Sequence, residues 1–91
     1  MGRIKVEKPE TSELQKMDIT AWPIWEKEKS RFNWSYDVEE TCYIIKGKAK
    51  VEADDGEVVE FGAGDLVALP KGLNCVWDIS DPIRKHYKFG R

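Results

Sequence analysis

From Trp22 onward the chain reads as short runs in which apolar and polar residues alternate, separated by turn residues. The breaks fall at Pro23, Asp54-Asp55-Gly56, Gly62-Ala63-Gly64, Pro70-Lys71-Gly72 and Asp81-Pro82. Strands at this spacing predict a sandwich or barrel. The predicted strands are Ile24–Lys29, Phe32–Tyr36, Thr41–Lys46, Lys48–Ala53, Glu57–Phe61, Leu66–Leu69, Cys75–Ile79 and Ile83–Phe89. Asp55-Gly56 is a hairpin signal, because both residues tolerate positive φ. Side chains alternate along a strand, so Ala49, Val51 and Ala53 share one face. Cys75, Trp77 and Ile79 share another, and Glu40, Cys42 and Ile44 a third. Thr41, Tyr43 and Ile45 make the opposite side of that last strand apolar as well, which predicts burial on both faces.

Ahead of this region lies an extended segment, Ile4 to Glu7, ended by Pro9. Ser12-Glu13-Leu14-Gln15 fits a capping box with Ser12 as the cap and Gln15 reaching back. It predicts a helix from Ser12 to Met17, too short to stand alone, that docks through Leu14 and Met17. The domain expected is single and spans residues 1–91, with residues 1–21 as an N-terminal strand and helix and 22–91 as the barrel.

Composition narrows the function classes. Of 91 residues, 41% are hydrophobic and 35% charged, a globular rather than a disordered composition. The formal charge is −2 with both signs interspersed, so no basic stripe offers itself to nucleic acid or an anionic membrane. Uninterrupted apolar runs reach only four residues, which is far from a bilayer span. No stretch of signal-peptide length opens the chain, and the cytoplasm is the expected compartment. Two cysteines, Cys42 and Cys75, make no disulfide scaffold and lack the close spacing of a zinc ribbon. With His86 as the single histidine, a His-rich metal site is impossible.

Two punctuated stretches stand out. Glu40, six residues and Gly47 form the first; Gly64, five residues, Pro70, Gly72 and position 75 form the second. Together they resemble the two motifs of the cupin superfamily, over roughly Trp22 to Phe89. The resemblance implies an all-β fold, a small cupin: a double-stranded β-helix, or barrel-like jelly roll, of two antiparallel sheets with a short N-terminal helix. Trp22-Pro23-Ile24-Trp25-Glu26, Glu39-Glu40-Thr41-Cys42-Tyr43, Pro70 to Trp77 and Lys85-His86-Tyr87 resemble the small stand-alone cupins grouped with ureidoglycine aminohydrolase. That subgroup implies amide or ureido chemistry for its larger members. The positions at which cupins carry metal-ligating histidines fall here on Trp34, Tyr36 and Cys75, and only Glu40 keeps a good ligand type.

Those residue types permit limited chemistry. Trp34 cannot ligate a metal, and Tyr36 ligates only as phenolate. Cys75 as thiolate favours zinc, so a Glu40, Cys75, Tyr36 and water set is conceivable. The expectation is nonetheless a site without metal or cofactor. Glu40 is either a solvated strand-start carboxylate or an internal acid/base with its pKa raised by desolvation, and Tyr36 would be its hydrogen-bonding neighbour. Cys75 is a buried small hydrophobe or a nucleophile; the latter needs a nearby cation, for which Arg84, Lys85 and His86 are candidates. Trp34, Cys42, Trp77 and His86 are expected around the pocket, with the aromatics either stacking on a flat ligand or filling the core. Trp22 and Trp25 read as packing residues. The expected partner is a small-molecule ligand or substrate. An exposed sheet edge suggests a homodimer.

Overall fold

The computed structural model describes residues 3–90; Met1, Gly2 and Arg91, the ends of the expected domain, lie outside the described residues. Its strands are β1 (Lys5–Glu7), β2 (Ile24–Lys27), β3 (Ser30–Ser35), β4 (Glu40–Ala53), β5 (Val58–Gly62), β6 (Leu66–Leu69) and β7 (Asn74–Phe89). One helix, α1 (Thr11–Met17), and a 3₁₀ turn (Ile19–Ala21) lie between β1 and β2. All strands join one antiparallel sheet in the order β1-β6-β4-β7-β2, with β3 also on β7 and β5 also on β4. This is the small cupin jelly roll, its two halves running continuously into each other rather than standing as separate sheets.

The continuity comes from β4 and β7. They pair from Glu40↔Phe89 to Ala53↔Cys75 and form a spine along the whole domain. The first part of β4 pairs with β6 and the second with β5. Likewise the first part of β7 pairs with β3 and the second with β2. Each long strand was expected as two short ones, broken at Gly47 and at Asp81-Pro82. In the structure those residues mark register shifts between Ile44 and Ala49 within an unbroken pairing. The extra residues change the parity of β4: Glu40, Cys42 and Ile44 point inward before the bulges, and Ala49, Val51 and Ala53 after them. Gly47 makes the bend possible, with φ of 96° and its Cα facing Pro82.

The core is built from these inward residues with Val67, Leu69, Leu73, Trp77, Ile79, Ile83 and Phe61. The outer side of β4 is less covered than expected, since Thr41 and Tyr43 are half-buried and Ile45 is exposed. Two local expectations also change. The helix is capped by Glu10 rather than Ser12, and the Glu13 carboxylate accepts the Glu10 N–H at 3.1 Å. None of its residues is buried, and Met17 remains 36% exposed; Ile19, on the following turn, anchors the segment instead. In the Asp54-Asp55-Gly56 turn only Gly56 has positive φ, and its N–H returns to the Ala53 carbonyl at 3.0 Å. That is a three-residue hairpin loop ending in a left-handed glycine, not the two-residue turn the Asp-Gly pair suggested. Among the described residues no helix is long and apolar enough to cross a membrane.

Candidate functional site

A cavity of about 220 Å³ opens between the second half of β7 and the strands facing it. Its walls are Trp25, Phe32, Trp34, Trp77, Tyr87 and Phe89, and its polar groups are Tyr36, Glu40 and Lys85.

Each polar group is fixed by its element. Glu40 is the first residue of β4, between Leu69 and Phe89 in register. Tyr36 follows β3, and its backbone is clamped by the Pro70–Leu73 turn: the Tyr36 N–H donates to the Leu73 carbonyl at 2.9 Å, and the Gly72 N–H to the Tyr36 carbonyl at 2.8 Å. Lys85 sits on β7, opposite Ile44 on one side and Trp25 on the other. It shares the inward parity of Cys75, Trp77, Ile79 and Ile83.

These side chains meet in one buried chain of hydrogen bonds. The Lys85 ammonium donates to Glu40 Oε2 at 2.6 Å, and the Tyr36 hydroxyl to Glu40 Oε1 at 2.5 Å. The Trp77 indole N–H donates to the Tyr36 oxygen at 3.3 Å. Glu40 is 2% and Lys85 5% exposed, so this is an ion pair withdrawn from bulk water. The ammonium also lies 4.8 Å from the Trp25 ring centre and 4.5 Å from that of Trp77, both within cation–π range. Phe32 stacks on Trp77 at 6.4 Å and 5°, which holds the indole in place. Burial first, then the Glu40 charge and hydrogen bond, pushes the Tyr36 hydroxyl far above the usual phenol range, so it stays protonated and acts as a donor.

Of the other sequence candidates, Trp34 and Trp77 line the cavity, whereas Cys42, Cys75 and His86 do not. Trp34 is on the cavity rim, 47% exposed. Cys42 is fully buried in the core, and Cys75 is buried with its thiol directed to the Trp34 carbonyl at 3.6 Å. Neither cysteine is among the cavity residues, and both are free thiols. His86 is on the opposite side of β7 from Lys85 and donates from Nδ1 to the Trp22 carbonyl at 2.9 Å. Of the three candidate cations, Lys85 alone enters the site, and it meets Glu40 rather than Cys75. Lys85, Trp25, Phe32, Tyr87 and Phe89 were not predicted as pocket residues. Parity was the available signal: counting in twos from Trp77 reaches Lys85, Tyr87 and Phe89, provided the strand runs through Pro82.

Both thiols are raised by burial, Cys42 to about 12 and Cys75 to about 11, with Glu40 adding to each and Lys85 partly opposing at Cys42. A folded pKa above the unfolded value stabilises the protein fully below the unfolded pKa, here 9.0, and that contribution is lost as pH rises towards the folded value. Stability is therefore expected to fall above pH 9. Cys42 alone accounts for about 2 kcal/mol by about pH 10.5. Urea unfolding at pH 8 and 10.5 checks this: Cys42→Ala should show a visibly flatter decline, and an identical decline would contradict the assignment.

The sequence pattern of the EutQ-like cupin domain matches residues 14–87. Among solved structures, a DUF861-family protein from Thermotoga maritima is 48% identical over 96% of this chain and 99% of its own, with a TM-score of 0.94. The EutQ protein of Clostridium difficile is 27% identical over 74% of this chain and 52% of its own, with a TM-score of 0.68. An oxalate decarboxylase from Bacillus subtilis shares the fold alone, at 15% identity over 96% of this chain and 25% of its own, with a TM-score of 0.56. No curated protein matches the chain.

Proposed function

The chain belongs to the EutQ-like cupin domain family, and from that premise we propose that its barrel pocket binds a small, flat, neutral molecule carrying an amide or ureido group and carries out acid–base chemistry on it without a metal. The observation that supports this is the Lys85–Glu40 pair on the floor of an aromatic cavity. A donor and an acceptor 2.6 Å apart, with no net charge between them, match a ligand edge that offers a carbonyl oxygen beside an N–H. A carboxylate ligand would face the like charge of Glu40, and a cationic ligand that of Lys85. The walls supply flat apolar faces, which suit a planar group. At about 30 Å³ per water, the cavity volume corresponds to roughly seven water-sized groups, so the guest is a metabolite-sized fragment. The likeness to the ureidoglycine aminohydrolase-like cupins points to the same chemical class.

In this reading Glu40 moves the proton, Tyr36 donates to and orients it, and Lys85 holds the ligand oxygen. Cys75, turned towards the Trp34 carbonyl with its pKa raised, has no part in the chemistry. A second reading, a ligand-binding module without turnover, is favoured by one observation. Among the described residues every buried polar side-chain atom already has a partner, so the floor is at rest without a substrate.

Trp25, Trp34 and Trp77 line the cavity, so intrinsic fluorescence reports on its occupancy. Small cyclic amides and ureides should change the emission saturably, and benzoate or alkylammonium ions should not. Preference for the carboxylate would refute the neutral-edge reading. Where product forms with one of these ligands, Glu40→Gln should slow turnover by about 10²–10⁴ while the fluorescence change persists. Undiminished turnover would leave Glu40 without a chemical role.

A further inference from the structure

Trp34, Tyr36, Glu40 and Cys75 occupy the positions at which the cupin motifs place metal ligands, and as a set they do not fit a divalent ion. An indole N–H is a donor only. The Tyr36 hydroxyl is held protonated by burial and by Glu40. The Cys75 thiol is occupied at the Trp34 carbonyl and lies off the cavity wall, whereas a metal requires thiolate. Both oxygens of Glu40 are engaged, one by Tyr36 and one by Lys85. Among the described residues no three His, Cys, Asp or Glu side chains converge.

What stands against Glu40 is a positive charge that the chain itself provides. We propose that the Lys85 ammonium is a tethered substitute for a metal ion: it neutralises and pins Glu40, and it presents positive charge to an oxygen entering the pocket. Three contacts define its seat, the Glu40 carboxylate at 2.6 Å and the indole faces of Trp25 and Trp77 at 4.8 and 4.5 Å. Carboxylate below and indoles beside it make a seat for an organic ammonium ion, the kind of cation that aromatic faces attract. An ammonium holds and polarises a carbonyl oxygen through directed N–H donors, but it does not lower the pKa of a bound water as a metal does. The contact with a ligand oxygen rests on the amide-binding reading given above; the seat itself does not.

The test therefore uses no substrate. The intact protein, incubated with Zn²⁺ or Mn²⁺ and desalted, should retain far less than one metal per chain by elemental analysis. Retention of one equivalent that disappears in Glu40→Gln would overturn the proposal. Lys85→Ala empties the seat, and the free cation should then fill it. Ethylammonium chloride should raise the melting temperature of that variant by several degrees over equal sodium chloride, while leaving the unaltered protein unmoved. If Lys85→Ala does not fold on its own, recovery of its near-ultraviolet circular dichroism in ethylammonium is the same readout. No response to ethylammonium in either form would also overturn the proposal. A pocket that binds no amide would remove only the ligand contact and would leave both outcomes in force.

Discussion

Replacing Lys85 with methionine is expected to destabilise the protein by about 3–5 kcal/mol, which is the cost of leaving one member of a buried ion pair without its partner. The side chain of Glu40 is nearly inaccessible, and Tyr36 satisfies only one of its oxygens. Methionine fills a similar volume, so lost packing contributes little. For a domain of this size the loss corresponds to roughly 12–40 °C in melting temperature. The pair itself need not be strongly stabilising, because its desolvation offsets much of its attraction. Adding Glu40→Gln to Lys85→Met should therefore recover a large part of the loss: the glutamine is neutral, and its carbonyl still accepts from Tyr36. A double-mutant cycle in urea gives the coupling directly. A single-mutant loss below about 1 kcal/mol, the range of exposed pairs, would show that Glu40 reaches water.

The second large effect is expected at Gly47. An alanine there would adopt φ of 96° and bring its Cβ to 2.8 Å from the Pro82 carbonyl carbon and 2.9 Å from the Ile83 Cα, with the Pro82 oxygen closer still. All three are backbone atoms of β7, so no side chain can swing away. The backbone strain alone is worth about 1–3 kcal/mol. Separation of the two strands adds to it, because it disturbs the register that carries Lys85. Gly64 provides the control, with φ of 94° and nothing within 4 Å of the added Cβ. Gly64→Ala should lose the strain only, and Gly47→Ala clearly more, by urea midpoints at equal m-value. Equal losses would mean that the contact with Pro82 relaxes freely.

The framework was legible because it is written in local chemistry. Gly47, Gly64, Pro70 and Gly72 sit at turns and bends whose dihedral demands are strict, and their spacing reports the fold directly. The inward faces of β4 and the first half of β7 followed from simple alternation. The polar heart of the pocket did not. Finding Lys85 requires carrying parity across Asp81-Pro82, which in most strands would mark an end. Here Pro82 falls at the register shift against Gly47, and the pairing resumes two residues on at Arg84↔Lys46. Trp25 and Phe32 reach the cavity because β2 and β3 both lie against β7, a long-range pairing that no window of the sequence encodes. The helix cap lies at Glu10 and not at Ser12 for a simpler reason. Glu10 and Ser12 each have a glutamate or glutamine three residues on, and the serine is the better cap by propensity. The chain had already turned at Glu10, one residue after Pro9.

The β4–β7 spine also has a temporal consequence. Glu40 and Lys85 are 45 residues apart, and their strands pair along nearly the full length of both. Pairing at that separation is closed late, since loop entropy must be offset before non-local contacts form, and folding is correspondingly slow for a chain this short. On the ribosome Glu40 emerges well before Lys85, so the carboxylate remains hydrated until β7 zips onto β4. The charge pair on the pocket floor therefore forms only as β7 closes onto β4, and until then the carboxylate is kept in water.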